Sequence, residues 1–143
     1  MQPARPTVRG LLMPGSGPVV RAVVAGRPGL ALLDTGASMS VVDRELARGL
    51  PSPGAAEWAG VNADGGRSLA ALRTVHVEIV GDGRIFALDM IEVPGIRAKV
   101  PGLDVLCLLG WDFLETCRLV CDGPAGAFEL TLPPPVRAQR RRR

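Results

Sequence analysis

Short apolar runs, interrupted repeatedly by glycine and proline, are the feature of this chain that most restricts its fold. The 143 residues include 18 glycines and 13 prolines, and no apolar run approaches the roughly 20 residues of a membrane-spanning helix. Glycine and proline break helices and end strands, so this pattern favours short strands joined by turns. A chain of this length buries about two-thirds of its unfolded surface, enough for one hydrophobic core. The sequence therefore predicts a single β-rich domain with no membrane segment.

The predicted strands are joined in hairpins, and two short helices interrupt them. Strands are predicted over Val19–Ala25, Leu30–Leu33, Arg67–Val80, Ile85–Val93, Asp104–Leu109, Leu119–Cys121 and Ala127–Leu132. Turns over Gly26–Gly29 and Gly81–Gly83 join the first four strands into two hairpins. One helix is expected from the N-cap Asp43 to Gly49, and another over about Trp111–Thr116. The predicted fold class is all-β and mostly antiparallel, with one or two short helices.

The net charge of +3 comes from the ends of the chain. Residues 10–132 hold ten basic and fourteen acidic side chains, whereas the terminal segments hold seven arginines and no acid. These segments lack periodicity, so residues 1–10 are predicted to be an N-terminal arm, 11–132 the folded domain and 133–143 a Pro/Arg-rich tail. Arg140–Arg143 suggest an anion-binding adaptor as an alternative function. No aromatic residue lies among these arginines for base stacking, so we expect no nucleic-acid partner.

Few residues suit metal binding or nucleophilic catalysis. The chain has three cysteines and one histidine, and the short run Leu11–Met13 is not a signal peptide, so reduced thiols and a cytoplasmic location are expected. Cys107 lies in an apolar run and is predicted to belong to the core. The spacings suit no structural zinc site, so we expect no metal and no cofactor. His76 alternates with polar residues and is predicted to be a solvent-exposed strand residue rather than a catalytic base.

The stretch Ala31–Ser38 is the part of the sequence that suggests chemistry. An apolar strand delivers Asp34, and Thr35 and Gly36 follow directly. A carboxylate behind two leucines is costly to ionise unless hydrogen-bond donors meet it. The hydroxyl of Thr35 and the backbone N–H groups near Gly36 can supply such donors. Judged from Asp34, Thr35 and Gly36 alone, the favoured interpretation is that Asp34 ends the strand and makes an Asx turn.

A second motif changes that interpretation. Leu32–Ser38 is followed, 74 residues after Gly36, by the apolar pair and glycine of Leu108–Leu114. In order and spacing the two motifs resemble those of the retropepsin family of aspartic peptidases, over residues 17–132. The resemblance implies a retropepsin-like acid protease barrel in which Asp34 is catalytic, together with Thr35 and Gly36. It implies two further groups of substrate-binding residues, namely Ala37 and Ser38 after the catalytic triplet, and Asn62, Ala63, Asp64, Gly65 and Gly66 in a flap.

The chain departs from the viral members of this family at two positions. Many viral members carry an acid and an arginine that form an ion pair, where this chain has Ser38 and Trp111. Both partners are replaced together, so no charge is left unpaired. This combination resembles the single-lobe bacterial and cellular members more than the viral enzymes.

A single Asp-Thr-Gly triplet predicts an obligate homodimer. Aspartic-peptidase chemistry needs two carboxylates that share one proton, and the economical source of the second is a twofold copy of Asp34. The function predicted is an aspartic endopeptidase that activates water between two Asp34 carboxylates and cleaves an extended polypeptide. The alternative is a retropepsin-fold dimerisation or peptide-binding module with weak or no activity. The terminal strand Ala127–Leu132 is a candidate for the dimer seam, because an apolar terminal strand needs a partner.

Overall fold

The computed structural model describes residues 5–58 and 68–134 of the chain. The strands are β1 (Thr7–Met13), β2 (Gly17–Val24), β3 (Arg27–Leu33), β4 (Val41–Asp43), β5 (Gly54–Trp58), β6 (Ser68–Ile79), β7 (Ile85–Val93), β8 (Val105–Leu109), β9 (Arg118–Asp122) and β10 (Ala127–Thr131). The helices are α1 (Arg44–Ala47), a 3₁₀ turn (Ile96–Ala98) and α2 (Trp111–Leu114). None of the helices in those two ranges is long and apolar enough to cross a membrane.

Six strands form a closed ring. Neighbouring strands follow the order β6-β7-β4-β8-β3-β2, and β2 pairs back onto β6 through Ala22–Val24. Strand β5 pairs with β6. Beyond β2 the sheet continues in the order β1, β10 and β9. The pairs β3–β8 and β4–β7 are parallel and the other pairings are antiparallel. The prediction of a mostly antiparallel all-β fold with two short α-helices is confirmed.

The first hairpin is tighter than the sequence predicted. Its turn contains only Ala25 and Gly26, with φ values of 49° and 79°, and Val24 pairs directly with Arg27. Two consecutive residues with positive φ match the right-handed twist of the flanking strands, which favours this two-residue connection. Pro28 and Gly29, predicted to lie in the turn, therefore belong to β3.

Two expectations about the chain ends are corrected. The segment 1–10, predicted as an arm without regular structure, enters strand β1 at Thr7. The first five residues of this strand, Thr7–Leu11, pair with β10, which also pairs with β9. Strand β10 therefore has both edges occupied within one chain, and the prediction that Ala127–Leu132 forms a dimer seam by strand pairing is wrong. The tail residues 135–143 lie outside the described part of the chain.

The core lies inside the ring and beneath the two sequence motifs. Leu32, Leu33, Leu108 and Leu109 are all buried. Cys107 is also fully buried, and this burial raises the pKa of its thiol to about 12. Asp43 caps α1 as predicted, since its carboxylate accepts the Glu45 N–H at 3.1 Å. His76 is exposed on the outer surface of β6, also as predicted.

Replacing a core leucine is expected to destabilise the ring. Leu106 of β8 has no exposed surface, so Leu106→Ala removes buried methyl groups and leaves a cavity, lowering the free energy of unfolding by about 2–5 kcal/mol. Denaturant titration measures this change. Leu69→Ala is the matched control, because Leu69 is 76% exposed and its truncation is expected to change stability by less than about 0.5 kcal/mol. Equal losses in both variants would contradict the assignment of Leu106 to the core.

The buried thiol gives a second expectation. Burial raises the pKa of the Cys107 thiol to about 12, so little reactive thiolate is present at pH 8. An alkylating reagent also cannot reach the buried sulfur. Brief iodoacetamide treatment of the native protein is expected to leave Cys107 unmodified, as located by tandem mass spectrometry. Treatment after unfolding in guanidinium is the control and is expected to modify it fully. Rapid labelling in the native state would contradict the described packing.

Candidate active site

Parallel pairing of β3 with β8 places the two sequence motifs side by side. Leu33 pairs with Leu109 at the ends of these strands, so the residues that follow each strand emerge at one edge of the sheet. The Asp34 N–H donates to the Leu109 carbonyl at 2.9 Å and extends the pairing by one bond. Asp34 is half-buried and directly follows the buried Leu32 and Leu33 of β3.

A tight turn fixes the Asp34 carboxylate. The Gly36 N–H donates to Asp34 Oδ1 at 2.9 Å, and the Ala37 N–H donates to the Asp34 carbonyl at 3.2 Å. A side chain at Gly36 would place its Cβ only 3.2 Å from Asp34 Oδ1, so glycine allows the close approach. The Asx turn expected from the tripeptide is therefore present, and it orients the carboxylate rather than arguing against a catalytic role.

Gly110 packs directly against the backbone that follows Asp34. A Cβ on Gly110 would lie 2.7 Å from the Ala37 carbonyl oxygen and 2.9 Å from the Met39 backbone, distances that no side chain tolerates. The next residue, Trp111, donates its backbone N–H to the Ala37 carbonyl at 2.9 Å and its indole N–H to the Thr35 carbonyl. The first residue of α2 thus holds the turn that follows Asp34 through two hydrogen bonds.

A buried hydrogen-bond network joins the two motifs. Asp112 accepts the Ser40 hydroxyl at 2.7 Å and the Ser40 N–H at 2.9 Å through its two oxygens. It also accepts the Phe113 N–H at 3.0 Å. The Ser40 hydroxyl oxygen in turn accepts the Gly110 N–H at 3.0 Å. Ser40 is fully buried, so the bonds that it makes are shielded from competing water and are costly to lose.

An open cleft of about 650 Å³ lies above this turn. One side consists of the Asp34 turn, and the other consists of the end of β7 and the 3₁₀ turn after it. The lining residues are Asp34, Gly36, Ala37, Ser38, Met39, Val41, Glu57, Ile91, Val93, Pro94, Gly95, Ile96, Lys99 and Leu108. The cleft is therefore a largely apolar groove whose charged lining residues are Asp34, Glu57 and Lys99. Asp34 is followed by the exposed Thr35.

The structure brings together part of the predicted site. Asp34, Gly36, Ala37 and Ser38 line the cleft, and Thr35 lies exposed beside it. The predicted flap residues Asn62, Ala63, Asp64, Gly65 and Gly66 lie outside the described residues. His76 does not line the cleft.

Sequence reasoning missed the supporting and wall residues. Ser40 and Asp112, which form the hydrogen-bond network, are 72 positions apart in the sequence. The only sequence feature that pointed to them was that each lies close to the glycine of one of the two motifs. The second wall, residues 91–96, carries no motif. Its position follows from the parallel pairing of β4 with β7, which alternation of apolar residues does not reveal.

Comparison with known proteins agrees with the fold and the motifs. The sequence profile of a family described as aspartyl protease matches residues 20–113, a range that includes both motifs. The chain therefore belongs to the aspartyl protease family. No curated protein matches the sequence.

Solved structures also match the fold. One is a foamy viral protease–reverse transcriptase in complex with an RNA/DNA hybrid, with 13% sequence identity and a TM-score of 0.52. The match covers 73% of this chain but only 12% of that one. The likeness confirms a retropepsin-like fold for the present chain.

The network under the turn is expected to contribute strongly to stability. Asp112→Ala removes three hydrogen bonds and leaves the buried Ser40 without its partner, which should lower the free energy of unfolding by about 3 kcal/mol. Glu115→Ala, an exposed acid at the end of α2, is the matched control and should change it by less than about 0.5 kcal/mol. Chemical denaturation measures both. Similar values for the two variants would show that the network is not stabilising.

Proposed function

We propose that this protein is an aspartic endopeptidase that is active as a homodimer, with one Asp34 contributed by each subunit. The observation that carries the proposal is the Asp34 carboxylate itself, held by the Gly36 N–H at the base of an apolar cleft. Among the described lining residues the only other carboxylate is that of Glu57, which comes from β5 and has an interaction of its own. A twofold copy supplies the missing partner with the same orientation.

The chemistry follows from two carboxylates that share one proton. The ionised carboxylate accepts a proton from water, and the water oxygen attacks the peptide carbonyl carbon while the protonated carboxyl donates to the carbonyl oxygen. Collapse of the tetrahedral intermediate breaks the C–N bond, and the departing nitrogen takes a proton. The products are a carboxylic acid and an amine, with no covalent bond to the enzyme.

The neighbouring residues suit supporting roles. Thr35 is exposed and its carbonyl is held by Trp111, which supports a role in bracing the two turns across the dimer axis. Gly36 leaves room for substrate backbone beside the carboxylate, and Ala37 and Ser38 line the cleft. The flap residues Asn62–Gly66 would close over the substrate and exclude water.

The cleft walls favour an extended peptide with apolar side chains. Val41, Ile91 and Ile96 form an apolar wall of the cleft that also holds the Asp34 turn. An extended strand directs alternate side chains to opposite faces, so every second substrate residue would meet this wall. We therefore expect cleavage next to apolar residues.

Replacement of Asp34 is the direct test. Asp34→Asn keeps the size of the side chain but removes the carboxylate, so it should abolish cleavage of a diverse peptide pool between about pH 4 and 7 while leaving the unfolding transition nearly unchanged. Product peptides are identified by mass spectrometry. Asp89→Asn is the matched control, since Asp89 is exposed and, within the described residues, its side chain accepts a hydrogen bond from Thr74 alone.

The outcomes separate the proposal from its alternative. Products formed by wild type and Asp89→Asn, but not by Asp34→Asn, support an aspartic peptidase. Products formed equally by all three proteins would overturn the assignment of Asp34. Peptides that bind to dimeric wild type and are released uncut would favour a peptide-binding module of the same fold.

A further inference from the structure

Lys99 is the one cationic residue among the described residues that line the cleft. It is also the only lysine of the chain. It is exposed and directly follows the 3₁₀ turn at one side of the cleft. The largely apolar groove therefore holds a single positive charge, in addition to the carboxylates of Asp34 and Glu57.

The Lys99 ammonium has no acidic partner within the described residues. It takes part in none of the ion pairs there, with Asp34 and Glu57 or with any other acid. Most arginines of the same ranges do pair with an acid, namely Arg9, Arg27, Arg44, Arg48, Arg73, Arg84 and Arg97. Lys99 thus contributes a charge to the cleft that the fold itself does not neutralise.

The backbone that carries Lys99 is held on both sides. The Lys99 N–H donates to the Ile96 carbonyl at 3.0 Å, and Ile96 is buried in an apolar cluster with the cleft residues Val41 and Ile91. Val100, the next residue, packs against the same cluster. The Cα of Lys99 therefore has a fixed place beside the cleft, and the flexible stem of the side chain can adjust to a ligand.

Arg97, two residues earlier, is engaged with the domain instead. Its side chain donates to Asp104 at 2.9 Å, and its backbone N–H donates to the buried carboxylate of Asp43 at 3.3 Å. These bonds tie the 3₁₀ turn to the acids around it. The two cations of this loop therefore differ: Arg97 anchors the turn, and Lys99 is available to a bound peptide.

We propose that Lys99 is a specificity-determining residue that binds an aspartate or glutamate side chain of the substrate. An ammonium is a compact charge that attracts a carboxylate without demanding one fixed orientation. The proposal rests on the proposed endopeptidase function, in which an extended chain continues through the cleft. A side chain, rather than the end of the peptide, therefore supplies the carboxylate.

The proposed homodimer would place two copies of Lys99 in one complete cleft. A twofold axis between the Asp34 carboxylates relates these copies, so one lies on each side of the reacting bond. An extended peptide would meet both of them. We therefore expect acidic residues to be favoured at one position before the cleaved bond and at one position after it, in addition to the apolar residues expected above.

Peptide selection on a protein that does not cleave tests Lys99 without relying on catalysis. A library of short peptides of mixed sequence, acetylated at the N-terminus and amidated at the C-terminus, is passed over immobilised Asp34→Asn protein at about pH 6, where peptide carboxylates are ionised. Mass spectrometry identifies the retained peptides. They should be enriched about three- to fivefold in Asp and Glu over Asn and Gln, the strength of an exposed ion pair.

Variants of Lys99 in the same background identify the charge responsible. Lys99→Gln should remove the enrichment, and Lys99→Arg should keep it. Lys99→Glu should replace it by enrichment in Lys and Arg. Salt at about 1 M, where the Debye length is about 3 Å, should weaken the enrichment in the parent protein.

The controls separate this contact from general charge effects. Arg21→Gln removes one exposed positive charge from β2, and Arg21 does not line the cleft, so the enrichment should stay within about twofold. Because Lys99 and Arg21 are both exposed, their variants should keep the unfolding transition of the parent. A second library with free C-terminal carboxylates shows whether the end of a peptide can replace an acidic side chain.

The outcomes keep this inference distinct from the proposed function. Enrichment lost in Lys99→Gln but kept in Arg21→Gln supports the assignment. Equal enrichment with and without Lys99, no enrichment, no retained peptide, or enrichment confined to free C-termini would overturn it. Lys99-dependent enrichment without cleavage by wild type would support the inference and overturn the peptidase, whereas Asp34-dependent cleavage without acid enrichment would do the reverse.

Discussion

The parallel contact between β3 and β8 is the constraint on which the site depends. Because the two strands run in the same direction, they end at one edge, and the Asp34 N–H bonds to the Leu109 carbonyl there. The chain after β8 then crosses under the chain after β3, at a distance that only Gly110 permits. Without this crossing the Ser40–Asp112 network could not form, and the turn that holds the Asp34 carboxylate would lose its two bonds from Trp111.

Local patterns in the sequence were sufficient for most strands and for the turn at Asp34. Alternating or continuous apolar runs located β6, β7 and β8 to within about a residue, and Asp43 identified the start of α1. Strand β4 was missed because it has only three residues. Strands β1 and β5 were also missed, since glycine, alanine and arginine obscure their alternation. Their strand conformation comes from pairing with β10 and β6, which are distant in sequence.

The parts of the site that escaped prediction depend on tertiary pairing. Ser40 and Asp112 are unremarkable polar residues in sequence, and they become supporting residues only when β3 and β8 bring them together. The second wall of the cleft likewise depends on β4 pairing with β7. Closure of the ring through β2 and β6 joins residues more than fifty positions apart, a contact that no local pattern specifies.

The pairing of β1 with β10 also determines where charge accumulates. Arg5 bonds to the Leu132 carbonyl at 3.1 Å, so the N-terminal and C-terminal segments leave the domain at one place. The arginines of residues 133–143 start from that point, whereas acids outnumber bases in residues 10–132. The chain therefore attaches its most basic sequence to an acidic domain at a single place, where β1 pairs with β10. Charges interact over longer distances at low ionic strength, so the salt concentration is expected to change the strength of attraction between these two parts of the chain.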